Sequence, residues 1–266
     1  MRKARSIKSQ TERAEGRQHN LARVFPNIVT LLGLCAGLSS LRFALLEKWE
    51  LALTFVAIAA FIDAMDGRLA RLMNSTSTFG AQLDSLSDFF NFGVAPPMIL
   101  YLWMTHEIKG LGWALVLFFA VCAAIRLARF NTNLDAQTGK TKKSRDDTFF
   151  TGIPSPAGAG LALLPMILSL EYGAVFHDLF FLGGRNYLPL AIIGYTTLVA
   201  LGMTSTLPTM SHKRISFRAE YTSWVLVVAG LILISLIIEP WLTLSFIIVA
   251  YIALLPVGII LYYLGR

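Results

Sequence analysis

The sequence predicts an all-α fold: a polytopic membrane bundle of about eight transmembrane helices. Three observations carry that expectation. The 266 residues are 55% hydrophobic and only 15% charged, where a soluble domain carries about 25% charged residues. Mean hydropathy is +0.62. The apolar residues gather into eight runs that approach the roughly 20 residues needed to cross a bilayer. No ten-residue alternating pattern points to a β-barrel, so helices must satisfy the backbone in lipid.

The chain opens with a basic, polar arm, MRKARSIKSQTERAEGRQHNLAR. It has no apolar face of useful length and reads as a mostly disordered cytoplasmic arm near anionic headgroups. A basic tail also suits nucleic acid, but the membrane sequence that follows argues against such a partner. The apolar segments then run over about 24–46, 51–72, 81–105, 111–131, 154–171, 187–207, 221–238 and 241–263. The last two are joined by a very tight turn at Glu239-Pro240. The polar stretch 132–150 is a loop, and TGIPSPAGAG after it is a rigid, close-packed entry to the fifth span. This entry is either a structural turn or the lining of a site mouth. Cys35 and Cys122 both fall inside apolar runs and read as buried small hydrophobes.

Charge sets the orientation. With the N-terminus in the cytoplasm, the inner side holds Arg68, Arg71, Arg126, Arg129, Lys140, Lys142, Lys143, Arg145, Lys213, Arg214, Arg218 and Arg266. The outer loops hold only Lys48, Lys109 and Arg185. That asymmetry follows the positive-inside bias. Trp49, Trp103, Trp113 and Trp241 fall at the outer ends of their spans, as an aromatic belt does.

Four carboxylates, Asp63, Asp66, Asp84 and Asp88, stand in this apolar context. Carboxylates at membrane depth are costly, which marks them as functional. On a helix, Asp63, Asp66, Gly67 and Ala70 share one face with Arg71 at its edge, and Gly80, Asp84 and Asp88 share another. The turn Asn74-Ser75-Thr76-Ser77 is short enough to make the two helices antiparallel neighbours. Asp63 then lies level with Asp88, and Asp66 with Asp84. Such a cluster needs a cation, and all-oxygen ligation selects magnesium, manganese or calcium. Gly67 and Ala70 remove bulk so that a phosphate can approach the backbone, and Arg71 can hold it. A metal beside an arginine suits a pyrophosphate substrate. The bland readings are an Asp–Arg pair and a small-residue helix contact; they explain a few of these positions, not their order.

Asp63-x2-Asp66-Gly67-x2-Ala70-Arg71-x8-Gly80-x3-Asp84-x3-Asp88 resembles, without departure, the motif of the CDP-alcohol phosphatidyltransferase family. The resemblance implies a helical membrane enzyme with a core of six spans, usually a homodimer, that passes a phosphatidyl group from a CDP-linked lipid to an alcohol and releases CMP. It implies that Asp63, Asp66 and Asp84 bind a divalent cation, Mg2+ or Mn2+. Asp88 is shared between the metal site and the role of catalytic base. Gly67, Ala70, Arg71 and Gly80 cradle the CDP portion. FPNIVTLLGL resembles the family's first helix, with Asn27 and Thr30 toward the nucleotide. IRLARFN and TGIPSPAGAG resemble the membrane-integral bacterial phosphatidylserine synthase branch. That branch implies CDP-diacylglycerol and L-serine as substrates, membrane lipids as surroundings, and the bacterial inner membrane as location.

The likeness runs from Arg23 to about Pro165 and divides the chain into the arm 1–23, a catalytic core 24–209 and a C-terminal transmembrane hairpin 210–266 that departs from the six-span core. Arg126 and Arg129, three residues apart near the cytoplasmic end of the fourth span, can bind the acceptor's carboxylate. They can also snorkel to headgroups, although Arg126, deeper in the span, favours the acceptor role. The same chemistry with glycerol 3-phosphate, inositol phosphate, choline or ethanolamine is the nearest rival. A transporter using buried carboxylates would spread them along several spans, and a non-catalytic scaffold would not need the motif intact.

Overall fold

The computed structural model describes residues 25–72, 77–137, 149–182, 185–205, 208–210 and 222–264. The arm 1–23, Asn74 to Thr76, and Lys140, Lys142, Lys143, Arg145, Lys213, Arg214, Arg218 and Arg266 lie outside them. The fold is all-α, with helices at each of the eight expected places. The chain forms two units, Met1–Asn91 and Phe92–Arg266; the division falls inside the region expected to be one core.

The first unit holds α1 (Phe25–Leu45), α2 (Trp49–Leu72) and α3 (Thr78–Asp88). The connection from α1 to α2 is tight, and Glu47 takes a positive φ of 56° to turn the chain. Ser77 caps α3 by accepting the Gly80 N–H at 3.0 Å, which satisfies one of the orphan donors of the first turn.

The third expected span is not one regular helix. α3 runs into a π-helical turn, Phe89–Val94, and then into α4 (Ala95–Trp103). Pro96 and Pro97 are the reason. Neither has an N–H to give the preceding turn, so the regular ladder breaks there, and both prolines fall at the start of α4, where a missing donor costs nothing. A 3-10 turn, Thr105–Glu107, ends the segment.

The second unit continues with α5 (Leu111–Gln137), α6 (Ser155–Asp178), α7 (Leu188–Thr204), α8 (Thr222–Ile238) and α9 (Pro240–Leu264). α5 packs along α7, α6 packs against α7 and α9, and α4 packs against α5 and α6. Phe92, Ile99, Leu100, Phe119, Met166, Leu188, Ile192 and Met203 are fully buried there. Gly173, at φ +48°, breaks the helical geometry inside α6, close to the expected end of the fifth span.

TGIPSPAGAG binds the end of α7. Strand β1 (Phe149–Thr151) pairs antiparallel with β4 (Pro208–Met210), Thr151 opposite Pro208. A second ladder, β2 (Phe181–Leu182) with β3 (Arg185–Asn186), closes the connection from α6 to α7. Gly152 takes φ +80°, and a Cβ there would lie 2.6 Å from the Met203 carbonyl. Only glycine meets both demands. The Ile153 N–H then donates to the Gly202 carbonyl at 3.2 Å.

The hairpin between α8 and α9 turns at Glu239-Pro240 as expected. The Ser235 and Thr243 hydroxyls meet across it at 2.6 Å, and Thr243 also reaches the Glu239 carbonyl at 2.7 Å. Trp224, Leu226, Leu231, Leu233 and Ile237 of α8 are exposed. A helix with so apolar a surface suits lipid, not water. Phe25–Leu45 and Leu111–Thr132 are each long and apolar enough to cross a membrane, and Leu188–Thr204, Trp224–Ile238 and Pro240–Pro256 are shorter apolar helices. Cys122 is buried as expected, but Cys35 is exposed on α1. A thiol is apolar enough to face lipid, so hydrophobicity alone did not specify burial at that position.

Candidate active site

α2 and α3 bring the acidic faces together. Carboxylate oxygens of Asp63, Asp66 and Asp84 all lie within 4.8 Å of one another. Asp66 is 5% exposed, and Asp63 and Asp84 are half-buried. Asp88, one turn beyond Asp84, lies beside Asp63. Asp63 and Asp88 are thus neighbours, while Asp84 stands within reach of both Asp63 and Asp66. Asp88 Oδ1 is buried and has no hydrogen-bond partner among the described residues.

This donor set fits a divalent cation. Three carboxylates on facing helices repel one another unless positive charge is added. They supply only hard oxygen ligands. The unpartnered Asp88 oxygen, buried beside them, is a further acceptor with nothing yet to accept.

The two glycines of the motif differ in surroundings. A Cβ on Gly67 would meet no atom within 4 Å. Packing does not require glycine at that point, and the space over it is open for a ligand to come close to the backbone. A Cβ on Gly80 would lie 2.8 Å from Asn27 Oδ1 and 3.1 Å from Ser77 Oγ. There glycine admits the Asn27 side chain of α1 against α3. Ala70 and Arg71 belong to α2, but their side chains lie outside the described residues.

α1 is held to this cluster by buried polar groups. The Thr30 hydroxyl faces the Pro26 carbonyl at 3.1 Å and the Asp66 carboxylate. Asn91 Nδ2 donates to Ser87 Oγ at 3.2 Å, and Ser87 Oγ to the Thr30 carbonyl at 3.5 Å. Asn91 sits in a slot on α1, where a Cβ on Gly37 would lie 2.0 Å from its Oδ1. Sequence reasoning passed over Ser87 and Asn91. The spacing from Ser87 to Asn91, with glycines Gly33 and Gly37 four apart on α1, was the signal available.

Arg126 and Arg129 belong to the second unit. Arg126 donates to the Ser155 hydroxyl at the start of α6. Arg129 donates to the Thr204 carbonyl at 3.0 Å, in the last turn of α7. A cation there also complements the negative end of the helix. Arg129 thus has a structural task, while Arg126 is joined to a buried hydroxyl. Ser155 was inside the quoted TGIPSPAGAG stretch but was not singled out; a serine that opens a buried helix beside an arginine was its sign.

Comparison with known proteins agrees with this geometry. The family model described as CDP-alcohol phosphatidyltransferase matches residues 23–182. A second, CDP-alcohol phosphatidyltransferase 2, matches residues 220–256, within the hairpin expected to depart from the core. A Mycobacterium leprae protein named CDP-diacylglycerol–serine O-phosphatidyltransferase is 32% identical over 94% of this chain and 79% of its own length. A Helicobacter pylori protein of the same name is 31% identical over 79% of this chain and 82% of its own. One from Bacillus subtilis, again so named, is 31% identical over 56% and 77%. The family is membrane-integral and generally dependent on divalent cations. With its motif folded into one acidic cluster and family models matching across both units, the chain belongs to the CDP-alcohol phosphatidyltransferase family.

Proposed function

We propose that the protein transfers the phosphatidyl group of CDP-diacylglycerol to the hydroxyl of L-serine, giving phosphatidylserine and CMP. The observation that carries this is the meeting of Asp63, Asp66 and Asp84 within 4.8 Å on the two motif helices. The choice of serine is supported by relatives named for it that align with most of the chain.

Asp63, Asp66, Asp84 and Asp88 would hold the cation, Mg2+ or Mn2+, which when bound neutralises phosphate oxygens and the leaving group. Gly67 leaves room for the pyrophosphate to lie against the backbone of α2. Asn27, Thr30, Ala70, Arg71 and Gly80 complete the cradle for CDP. Asp88 accepts the proton of the serine hydroxyl, its buried oxygen being the acceptor. The serine oxygen forms its bond to the lipid-linked phosphorus as the bond from that phosphorus to the bridging oxygen breaks, and CMP departs with the electron pair. Direct attack inverts the configuration at phosphorus. No Ser/His or Cys/His pair in the sequence argues for a covalent intermediate. Arg126 binds the acceptor's carboxylate, while Arg129, held by the Thr204 carbonyl, adds only its charge.

The acidic cluster opens to the cytoplasm in this reading, supported by the excess of Lys and Arg on that side. The enzyme works as a homodimer in the cytoplasmic membrane, with the arm 1–23 along its inner surface, 24–209 as catalytic core and 210–266 as a C-terminal hairpin. Purified protein given CDP-diacylglycerol with serine, glycerol 3-phosphate, inositol phosphate, choline or ethanolamine, with CMP release as the readout, tests the proposal. Serine alone should support turnover. Release with another acceptor and none with serine defeats it.

A further inference from the structure

We infer that Tyr251 of α9 joins Arg126 and Ser155 in one donor pocket for the anionic group of the acceptor, which makes the C-terminal hairpin part of acceptor selection. The inference rests on the serine reading for the identity of that group.

The starting point is hydroxyl pairing along α9. Thr243 is paired with Ser235 and the Glu239 carbonyl, and Ser245 donates to the Leu242 carbonyl at 2.8 Å. The Tyr251 hydroxyl is buried and has no hydrogen-bond partner among the described residues. An unpaired buried hydroxyl in an apolar helix is costly, and phenylalanine would fill the same space without the penalty. Its surroundings point to a ligand. Tyr251 lies within electrostatic reach of the Arg126 guanidinium. Arg126 in turn donates to Ser155, which is 1% exposed.

The packing of the helices agrees. α9 lies along α6, and Ile248, one turn before Tyr251, stands 3.7 Å from where a Cβ on Gly160 would be. Gly160 is little more than one turn from Ser155.

The chemistry of this group is one-sided. A guanidinium only donates. Ser155 uses its oxygen to accept from Arg126, so its own proton is left to give. Tyr251 adds a phenolic O–H. Three donors in a buried setting call for a small anion with several lone pairs, and a carboxylate offers about four such positions. A phosphorylated acceptor presents the same chemistry, whereas ethanolamine and choline present none of it.

The test uses the full chain in detergent or nanodiscs, with CMP release measured against serine, serinamide and glycerol 3-phosphate. Serinamide keeps the hydroxyl and the amine but lacks the carboxylate. Tyr251→Phe should raise the KM for serine by about tenfold, leave the KM for CDP-diacylglycerol in place, keep or raise the melting midpoint, and shrink the preference for serine over serinamide by a similar factor. Ser155→Ala should act in the same direction. A Tyr251→Phe protein with unchanged serine KM and unchanged serinamide discrimination overturns the inference, as does one whose losses fall equally on both acceptors and follow a lowered midpoint. If the unaltered protein uses glycerol 3-phosphate and not serine, the serine reading fails separately. The pocket is then decided by whether Tyr251→Phe raises the KM for glycerol 3-phosphate.

Discussion

Asn27 on α1 stands against Gly80 on α3 so closely that a Cβ on Gly80 would come within 2.8 Å of Asn27 Oδ1. The colliding atom ends a short side chain, so Gly80→Ala can be relieved by turning the Asn27 amide away. The cost then falls on whatever Asn27 binds. Gly80→Ala should raise the KM for CDP-diacylglycerol by about tenfold, with the melting midpoint lowered little. Steady-state kinetics and a thermal melt on the same preparation check this. A large fall in the midpoint would show instead that the contact matters mainly for packing.

Gly67 presents the opposite case. A Cβ there meets nothing, and alanine is a better helix former than glycine by about 1 kcal/mol. Gly67→Ala should therefore keep or raise stability while turnover falls about 100-fold or more, because the added methyl holds the pyrophosphate off the helix. Activity and melting should move in opposite directions. Full activity in a stabilised variant would remove Gly67 from the substrate cradle.

Asp88→Asn replaces the proposed proton acceptor by an isosteric amide. Turnover should drop by about 10²–10⁴-fold, while CDP binding, followed by equilibrium dialysis with labelled nucleotide, changes little. Intact turnover with weakened nucleotide binding would move Asp88 out of the base role and into the binding site.

Chelation should abolish CMP release, and Mg2+ or Mn2+ should restore it. Asp66→Asn, at the most buried of the clustered ligands, should weaken Mn2+ binding measured by electron paramagnetic resonance. Activity that survives thorough chelation would refute the cation site.

Arg126 and Arg129 should separate by readout. Arg129→Ala removes a donor from the Thr204 carbonyl and a cation from the end of α7, and should cost about 1 kcal/mol of stability with a small change in serine KM. Arg126→Ala should raise serine KM strongly. Equal effects of the two on KM would return Arg129 to the acceptor site.

The helices were legible because lipid demands long apolar runs with satisfied backbones, and that demand is written in composition alone. The break at Phe89–Val94 was legible only in hindsight. Pro96 and Pro97 were visible, but an apolar window of 25 residues masks a change in helical ladder. The acidic cluster was legible because helical phase places Asp63, Asp66, Asp84 and Asp88 on two facing surfaces. The contacts of Arg129 with Thr204, Arg126 with Ser155 and Asn91 with Ser87 differ in kind. The two arginine contacts span 75 and 29 residues and depend on how helices pack, which no local period records. The Asn91–Ser87 bond is four residues long and joins the end of α3 to the π-turn, so its helical spacing was there to be read.

The Ser235–Thr243 pair has a consequence for biogenesis. Two hydroxyls that satisfy each other across a turn need not be stripped of water unpaired during insertion. Carried separately into hydrocarbon, each would cost free energy on the order of several kcal/mol. Paired, they lower the cost of bringing α8 and α9 into hydrocarbon together.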